Sequence, residues 1–95
     1  MKNYESIIIV NPNATEDEIK ELKEYIKKFI TEQNGKNIKV ENLGRKKLAY
    51  EIKKNKEGYY IQFNFEAESD LVLELERIYR IKEIIIKFIT FKNED

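Results

Sequence analysis

The densest run of positive charge in the sequence is Arg45–Lys47. Residues 36–56 contain eight basic and two acidic side chains, a balance of +6, although the 95-residue chain has no net charge. Residues 77–92 add a balance of +4 (five basic, one acidic), and residues 66–76 have a balance of −5 (five acidic, no basic). Because salt screens charge beyond roughly 8 Å, each segment acts locally. Zero net charge therefore does not exclude nucleic acid as a partner. The alternative interpretation is that the charged side chains only keep the protein soluble.

Groups that catalyse reactions or bind metals are sparse. The sequence has no histidine and no cysteine, which removes the commonest general base and thiolate chemistry. It also lacks a glycine-rich phosphate loop and the HExxH and GxSxG motifs. The paired carboxylates Glu16–Asp17 and Glu94–Asp95 stand at a helix start and in a tail, and Glu66, Glu68 and Asp70 are interpreted as a solvated strand end that leads into a helix. We predict no enzymatic activity, no catalytic residue, no metal and no cofactor.

The sequence is expected to form one cytosolic domain over residues 1–95. The N-terminus has no apolar stretch behind a basic start, and no apolar run approaches the ~20 residues that span a bilayer. The absence of cysteine fits a reducing compartment.

A long hairpin must position the basic run. Two strand-like segments, Ile38–Lys53 and Tyr59–Ala67, flank the polar segment Lys54–Gly58, whose glycine is expected to supply the positive φ of the reversal. Residues in the second segment alternate between the two faces of the sheet. Those expected to face helices are Tyr59, Ile61, Phe63 and Phe65, and those on the opposite face are Tyr60, Gln62, Asn64 and Glu66.

The remaining segments predict two helices and two more strands. The continuous apolar run Tyr4–Val10 indicates a central strand. A helix follows from the capping box that begins at Thr15, and it is expected to end at Gly35. A second helix is predicted over Ser69–Arg80 with its serine as N-cap, followed by a strand over Ile84–Phe91.

This order predicts an α+β, ferredoxin-like βαββαβ domain with a four-stranded antiparallel sheet and two helices on one face. The uncovered face must meet solvent or a partner. By strand parity Lys87, Ile89 and Phe91 share that face, and Ile7 and Ile9 can join them. Apolar residues on an uncovered sheet face indicate an interaction surface. The alternative is a register error that puts them in the core.

The sequence resembles the family of bacterial small-subunit ribosomal protein six over essentially its whole length. The segments that carry the resemblance are Tyr4–Glu5, Asn11–Pro12, Leu43–Tyr50 (Leu-Gly-Arg-Lys-Lys-Leu-Ala-Tyr) and Glu57–Tyr60 (Glu-Gly-Tyr-Tyr). The family often has tryptophan in place of Leu43 and proline in place of Glu51. Many members also have a longer C-terminal tail.

The resemblance implies a structural, non-enzymatic protein of the cytoplasmic ribosome. Such proteins bind the central domain of small-subunit ribosomal RNA at a helical junction, as a heterodimer with small-subunit ribosomal protein eighteen. By position, the candidates for RNA phosphate contacts are Lys2, Arg45, Lys46, Lys47, Arg80, Lys87 and Lys92. The candidates for the partner surface are Tyr60, Gln62, Ile89 and Phe91.

Two alternatives stay open. Gly58–Phe63 resembles a motif of the RNA-recognition-motif family, which has the same topology, but it lacks the small residue between the first two aromatics. A free-standing reader of single-stranded RNA is therefore the second reading. The third is a ferredoxin-like oligomerisation module that binds no RNA.

Overall fold

Six elements make up the computed structural model, which describes residues 1–93. They are β1 (Lys2–Val10), α1 (Glu16–Glu32), β2 (Lys36–Ile52), β3 (Asn55–Ala67), α2 (Ser69–Ile81) and β4 (Ile85–Asn93). The strands form one antiparallel sheet in the order β2-β3-β1-β4, so β1 is central, as its apolar sequence predicts. The element order and sheet confirm the predicted ferredoxin-like class. Neither helix is long and apolar enough to cross a membrane.

Both helices pack on the sheet through one apolar stripe each. The stripes are Leu22, Ile26 and Ile30 of α1 and Leu71, Leu75 and Tyr79 of α2. Beneath them the sheet contributes a core that includes Tyr4, Ile8, Val10, Ile61, Phe63, Phe65 and Ala67. The predicted alternation of β3 is confirmed, because Ile61, Phe63 and Phe65 are buried in this core. Within residues 1–93, no helix packs on the other face of the sheet.

The helix ends differ from the prediction in detail. The capping box at Thr15 forms as expected, with Glu18 N–H donating to the Thr15 hydroxyl at 3.1 Å. The helix then ends at Glu32, and the left-handed residue is Asn34 (φ 69°) rather than Gly35. Ser69 is the first residue of α2 and not its cap, because the cap position is taken by residue 68, which makes no side-chain cap bond.

The hairpin reverses earlier than predicted. Lys53 and Lys54 have φ angles of 50° and 67°, and Ile52 pairs with Asn55 across them. A two-residue loop with two positive φ angles has the sign pattern of a type I′ turn. The assignment of the reversal to Gly58 is therefore wrong. Gly58 lies inside β3, where a Cβ atom would collide with Cγ2 of Ile9.

Strand β2 is irregular along its length. Its pairing with β3 shifts between Lys36 and Lys39, between Asn42 and Gly44, and between Lys47 and Ile52. The second shift coincides with a positive φ of 84° at Gly44. Extra residues on one strand of a pair bend it and increase its twist. The last part of β2 consequently leaves the plane of the sheet.

Candidate nucleic-acid and protein interface

The uncovered face of the sheet is built from three neighbouring strands whose side chains form rows. Ile9 of β1 lies between Tyr60 of β3 and Lys87 of β4. The next row on this face places Ile7 between Gln62 and Ile89, and the row after it places Glu5 between Asn64 and Phe91. The structure therefore brings the four predicted partner-surface residues Tyr60, Gln62, Ile89 and Phe91 onto one face. Ile89 and Phe91 are 48% and 46% exposed, which is high for large apolar side chains.

An apolar groove of about 280 Å³ lies on this face. Its floor comes from β1 and β4, including Ile7 and Ile89, and its wall comes from the bent end of β2. We call residues 48–52 the β2 arm. The arm is fixed to β4 by a hydrogen bond of 2.8 Å between Lys87 Nζ and the Tyr50 hydroxyl. The Lys87 ammonium also lies 5.1 Å from the centre of the Tyr50 ring.

The β2 arm is the part of the site that sequence reasoning missed. Its signal was present, because Leu48, Tyr50 and Ile52 are apolar or aromatic residues in an otherwise basic segment. Alternation alone would have assigned them to a regular strand. Only the register shifts of β2 direct them over the open face.

The other end of the open face is polar. Gln62 donates hydrogen bonds to Glu5 at 2.5 Å and to Asn64 at 3.2 Å. Asn37 of β2 donates to Glu66 of β3. The face thus changes from amide and carboxylate groups at one end to aliphatic and aromatic groups at the other. A partner that lies across it meets both kinds of surface.

Arg45 is held by groups of its own chain. Its guanidinium forms an ion pair of 2.8 Å with Glu57 and donates to the Pro12 carbonyl at 3.0 Å. Lys46 lies 5.6 Å from the ring centre of Tyr60. Arg45, Lys46 and Lys47 are all exposed, so none of them is sealed inside the fold.

The seven predicted phosphate contacts divide between two ends of the sheet. Lys2 and Lys92 lie where β1 begins and β4 ends. Arg80 and Lys87 lie at the opposite end, where α2 leads into β4. The run Arg45–Lys47 pairs with residues 57–59, which places it at this second end but on the β2 edge. Five of the seven candidates therefore share one end, which we call the basic end.

Tyr79 is the ionisable group with the strongest environmental effect on its acidity. Burial raises the pKa of its phenol above the ordinary value, and the hydrogen bond with Ser6 opposes this in part. The Ser6 and Tyr79 hydroxyl oxygens are 2.8 Å apart in the core, and Ser6 lies 3.2 Å from the Thr90 hydroxyl. This cluster joins α2 to the central strand and serves stability.

Two of the three carboxylates at the end of β3 and the start of α2 have partners within the chain. Glu66 accepts from Asn37, and Glu68 lies 3.6 Å from the N-terminal ammonium. Within residues 1–93 no group of three potential ligands comes together. The pair Glu94–Asp95 lies outside the described residues.

Comparisons with known proteins agree with one another. The model of the family described as ribosomal protein S6 matches residues 3–92. The small ribosomal subunit protein bS6 of Helicobacter acinonychis (strain Sheeba) is 46% identical over 92 residues, which cover 97% of this chain and 65% of that protein. The protein of the same name from a Nitratiruptor species is 45% identical over 94 residues, 99% of this chain and 73% of that protein.

A solved structure is also similar over nearly the whole chain. The crystal structure of 30S ribosomal protein S6 from Thermotoga maritima has a TM-score of 0.90 and 43% identity, and the match covers 97% of this chain and 87% of that one. This chain spans slightly less than two thirds of the length of the relatives from Helicobacter acinonychis and Helicobacter pylori (strain G27).

Proposed function

The chain belongs to the ribosomal protein S6 family, and from this premise we propose that it is a structural component of the small ribosomal subunit. In this role it binds the central domain of small-subunit ribosomal RNA together with small-subunit ribosomal protein eighteen. The family consists of structural, non-enzymatic proteins of the bacterial ribosome, which works in the cytoplasm. Membership therefore confirms the family resemblance and the non-enzymatic class that we predict from the sequence.

The observation that carries the proposal is the open face of the sheet. Ile89 and Phe91 are about half exposed beside a groove that the β2 arm closes on one side. Apolar side chains in such a depression gain free energy when a partner excludes water from them, at roughly 25 cal/mol per Å² of area removed. We assign this face to protein eighteen, with Tyr60 and Gln62 as further contacts.

The RNA contacts follow from charge. The proposed phosphate contacts are Lys2, Arg45, Lys46, Lys47, Arg80, Lys87 and Lys92. Basic side chains release counterions from RNA, which supplies affinity and salt dependence but little sequence discrimination. A small, locally bipolar protein is expected to bind RNA weakly by itself, and joint binding with a partner raises the total affinity.

A filter-binding titration with a junction fragment of the ribosomal RNA tests the proposal. We expect tight binding only when protein eighteen is present. Equal binding to random single strands without the partner would support the RNA-recognition-motif reading instead. Failure to bind RNA down to low salt, with the partner present, would leave the oligomerisation module as the better account.

A further inference from the structure

A second depression, of about 330 Å³, lies along β4, an edge strand of the sheet, at the basic end. Three basic residues from distant parts of the sequence line it: Lys53 from the hairpin turn, Arg80 from α2 and Lys87 from β4. The other lining residues are Tyr79, Ile85, Ile86 and Phe88. No carboxylate from the described part of the chain belongs to the lining. A concave surface with cations and no acid concentrates a positive field.

Two of the three cations are held in place by aromatic rings. The Arg80 guanidinium carbon lies 5.5 Å from the ring centre of Phe88. The guanidinium has five N–H donors in a planar fork that matches the geometry of a phosphate. Lys87 has one bond to the Tyr50 hydroxyl, and an ammonium has three donors, so two remain. Such preorganisation reduces the side-chain entropy that is lost on binding.

Two arginines elsewhere on the surface are already engaged within the chain. Arg45 is paired with Glu57, and Arg77 lies 3.8 Å from Glu74. In contrast, Lys53, Arg80 and Lys87 have no ion-pair partner within residues 1–93. A phosphate at Arg45 must compete with a carboxylate, whereas a phosphate at the β4 edge meets three cations that form no ion pair within residues 1–93. Lys46 and Lys47 also form no ion pair there, but they do not line a depression with a third cation.

We propose that the depression at the β4 edge is the principal phosphate-binding site of this protein, with Lys53, Arg80 and Lys87 as its cationic groups. Its ligand is the phosphate backbone of structured RNA. This inference rests on the proposed function and refines it, because it adds Lys53 and moves the main RNA contact from the Arg45–Lys47 run to β4. Lys87 also lines the apolar groove, so the phosphate site and the partner face are contiguous.

The test compares two triple variants that remove the same charge. The site variant carries Lys53→Gln, Arg80→Gln and Lys87→Gln. The control variant carries Lys20→Gln, Lys28→Gln and Lys36→Gln, three exposed positions on α1 and at the start of β2. Binding to the junction RNA is measured with protein eighteen present at several salt concentrations. Thermal unfolding of each variant tests whether the fold is kept.

The site variant is expected to bind RNA about tenfold more weakly, or weaker still, near physiological salt. In a plot of log affinity against log salt concentration, its slope is expected to be shallower by about 2, because each lost phosphate contact removes roughly 0.7 to 0.9. The control variant is expected to stay within about threefold of the unmodified protein. If the unmodified protein binds RNA but the two variants are equal, the site is wrong and the proposed function stands. If the unmodified protein does not bind RNA, the proposed function itself fails.

A second measurement addresses the site without RNA. In an NMR titration of the unmodified protein with tripolyphosphate, amide shifts should concentrate at residues 53, 80 and 85–88. Shifts that are absent there, or that are larger around residues 45–47, would overturn the assignment.

Discussion

The substitution Phe91→Lys tests whether the open face binds the partner, because it should weaken partner binding much more than it lowers folding stability. Phe91 is 46% exposed and lies opposite Glu5 of β1 in the sheet register. Complete burial of a phenylalanine contributes about 1.5–3 kcal/mol, so the half that is buried in the free protein contributes about 1 kcal/mol. The new lysine faces a carboxylate, which limits the cost further. We expect the free energy of unfolding to fall by no more than about 1 kcal/mol.

The effect on partner binding should be larger. Anchors at the centre of an interface typically contribute about 2 kcal/mol or more, and about 2 kcal/mol corresponds to an approximately thirtyfold change in Kd. When the partner covers the groove, the new ammonium and the Glu5 carboxylate must both lose water, which adds a desolvation cost. Isothermal titration calorimetry with protein eighteen measures this loss, and thermal unfolding measures the fold.

Leu73→Lys is the matched control. Leu73 is an exposed apolar residue (66%) on α2, away from the open face. It should leave the Kd for protein eighteen unchanged. The reasoning is refuted if folded Phe91→Lys binds within threefold of the unmodified protein, or if Leu73→Lys weakens binding equally.

Four further predictions concern the stability of the fold around the site. Arg45→Ala should lower the free energy of unfolding by about 1 kcal/mol, because a largely exposed ion pair with Glu57 and a bond to a backbone carbonyl are lost; a double-mutant cycle with Glu57→Ala measures the coupling. Ser6→Ala should lower the free energy of unfolding by about 1–3 kcal/mol, because it removes the hydroxyl partner of the buried Tyr79 phenol. In urea denaturation, the double variant with Tyr79→Phe should recover part of this loss. Burial raises the pKa of that phenol in the folded protein, so its contribution to the free energy of unfolding is complete below about pH 10, the pKa of tyrosine in the unfolded chain, and is lost as the pH rises further. Tyr79→Phe should remove this part of the loss of stability at alkaline pH. Lys54→Gly should stabilise the hairpin by up to about 1 kcal/mol in thermal unfolding, because glycine accepts a positive φ without strain.

Each of these has a clear contrary result. A coupling of zero between Arg45 and Glu57 would show that the ion pair contributes nothing in solution. Strictly additive losses at Ser6 and Tyr79 would contradict a shared hydrogen bond, and unchanged alkaline stability in Tyr79→Phe would contradict the deep burial of the phenol. A destabilised Lys54→Gly variant would show that the turn does not place residue 54 at positive φ.

The elements of the fold could be predicted because their patterns are local. The continuous apolar run of β1 indicates a central strand with a neighbouring strand on each side, and strict alternation in β3 identifies which residues face the helices. Parity then places Ile89 and Phe91 on the open face. These inferences need only the period of a strand and the number of helices available to cover the sheet.

The turn and the β2 arm could not be predicted in the same way. Lysine rarely adopts a positive φ, so Lys53–Lys54 gives no turn signal, while Gly58 gives a misleading one. Gly58 is required by the close approach of Ile9, which is a tertiary contact between strands distant in sequence. The direction of the arm depends on register shifts in β2 that follow from packing. For the same reason, no sequence pattern shows that Arg45 is paired within the chain.

The structure also explains how a protein without net charge can present a basic surface. The acidic segment 66–76 starts at the end of β3 and continues into the first turns of α2, whereas Arg80 stands at the last turn of that helix. The 13 residues of α2, at about 1.5 Å each, separate its two ends by about 20 Å, more than twice the Debye length of about 8 Å in physiological salt. Glu66, Glu68 and Asp70 therefore screen little of the field at the β4 edge, and they repel a phosphate backbone that approaches their end of the helix. Glu76 lies only four residues before Arg80, about 6 Å along the helix axis, and offsets part of that field. Net charge is therefore a poor guide to the partner of this protein, because the acids at the start of α2 lie beyond the screening distance from the cations at the β4 edge.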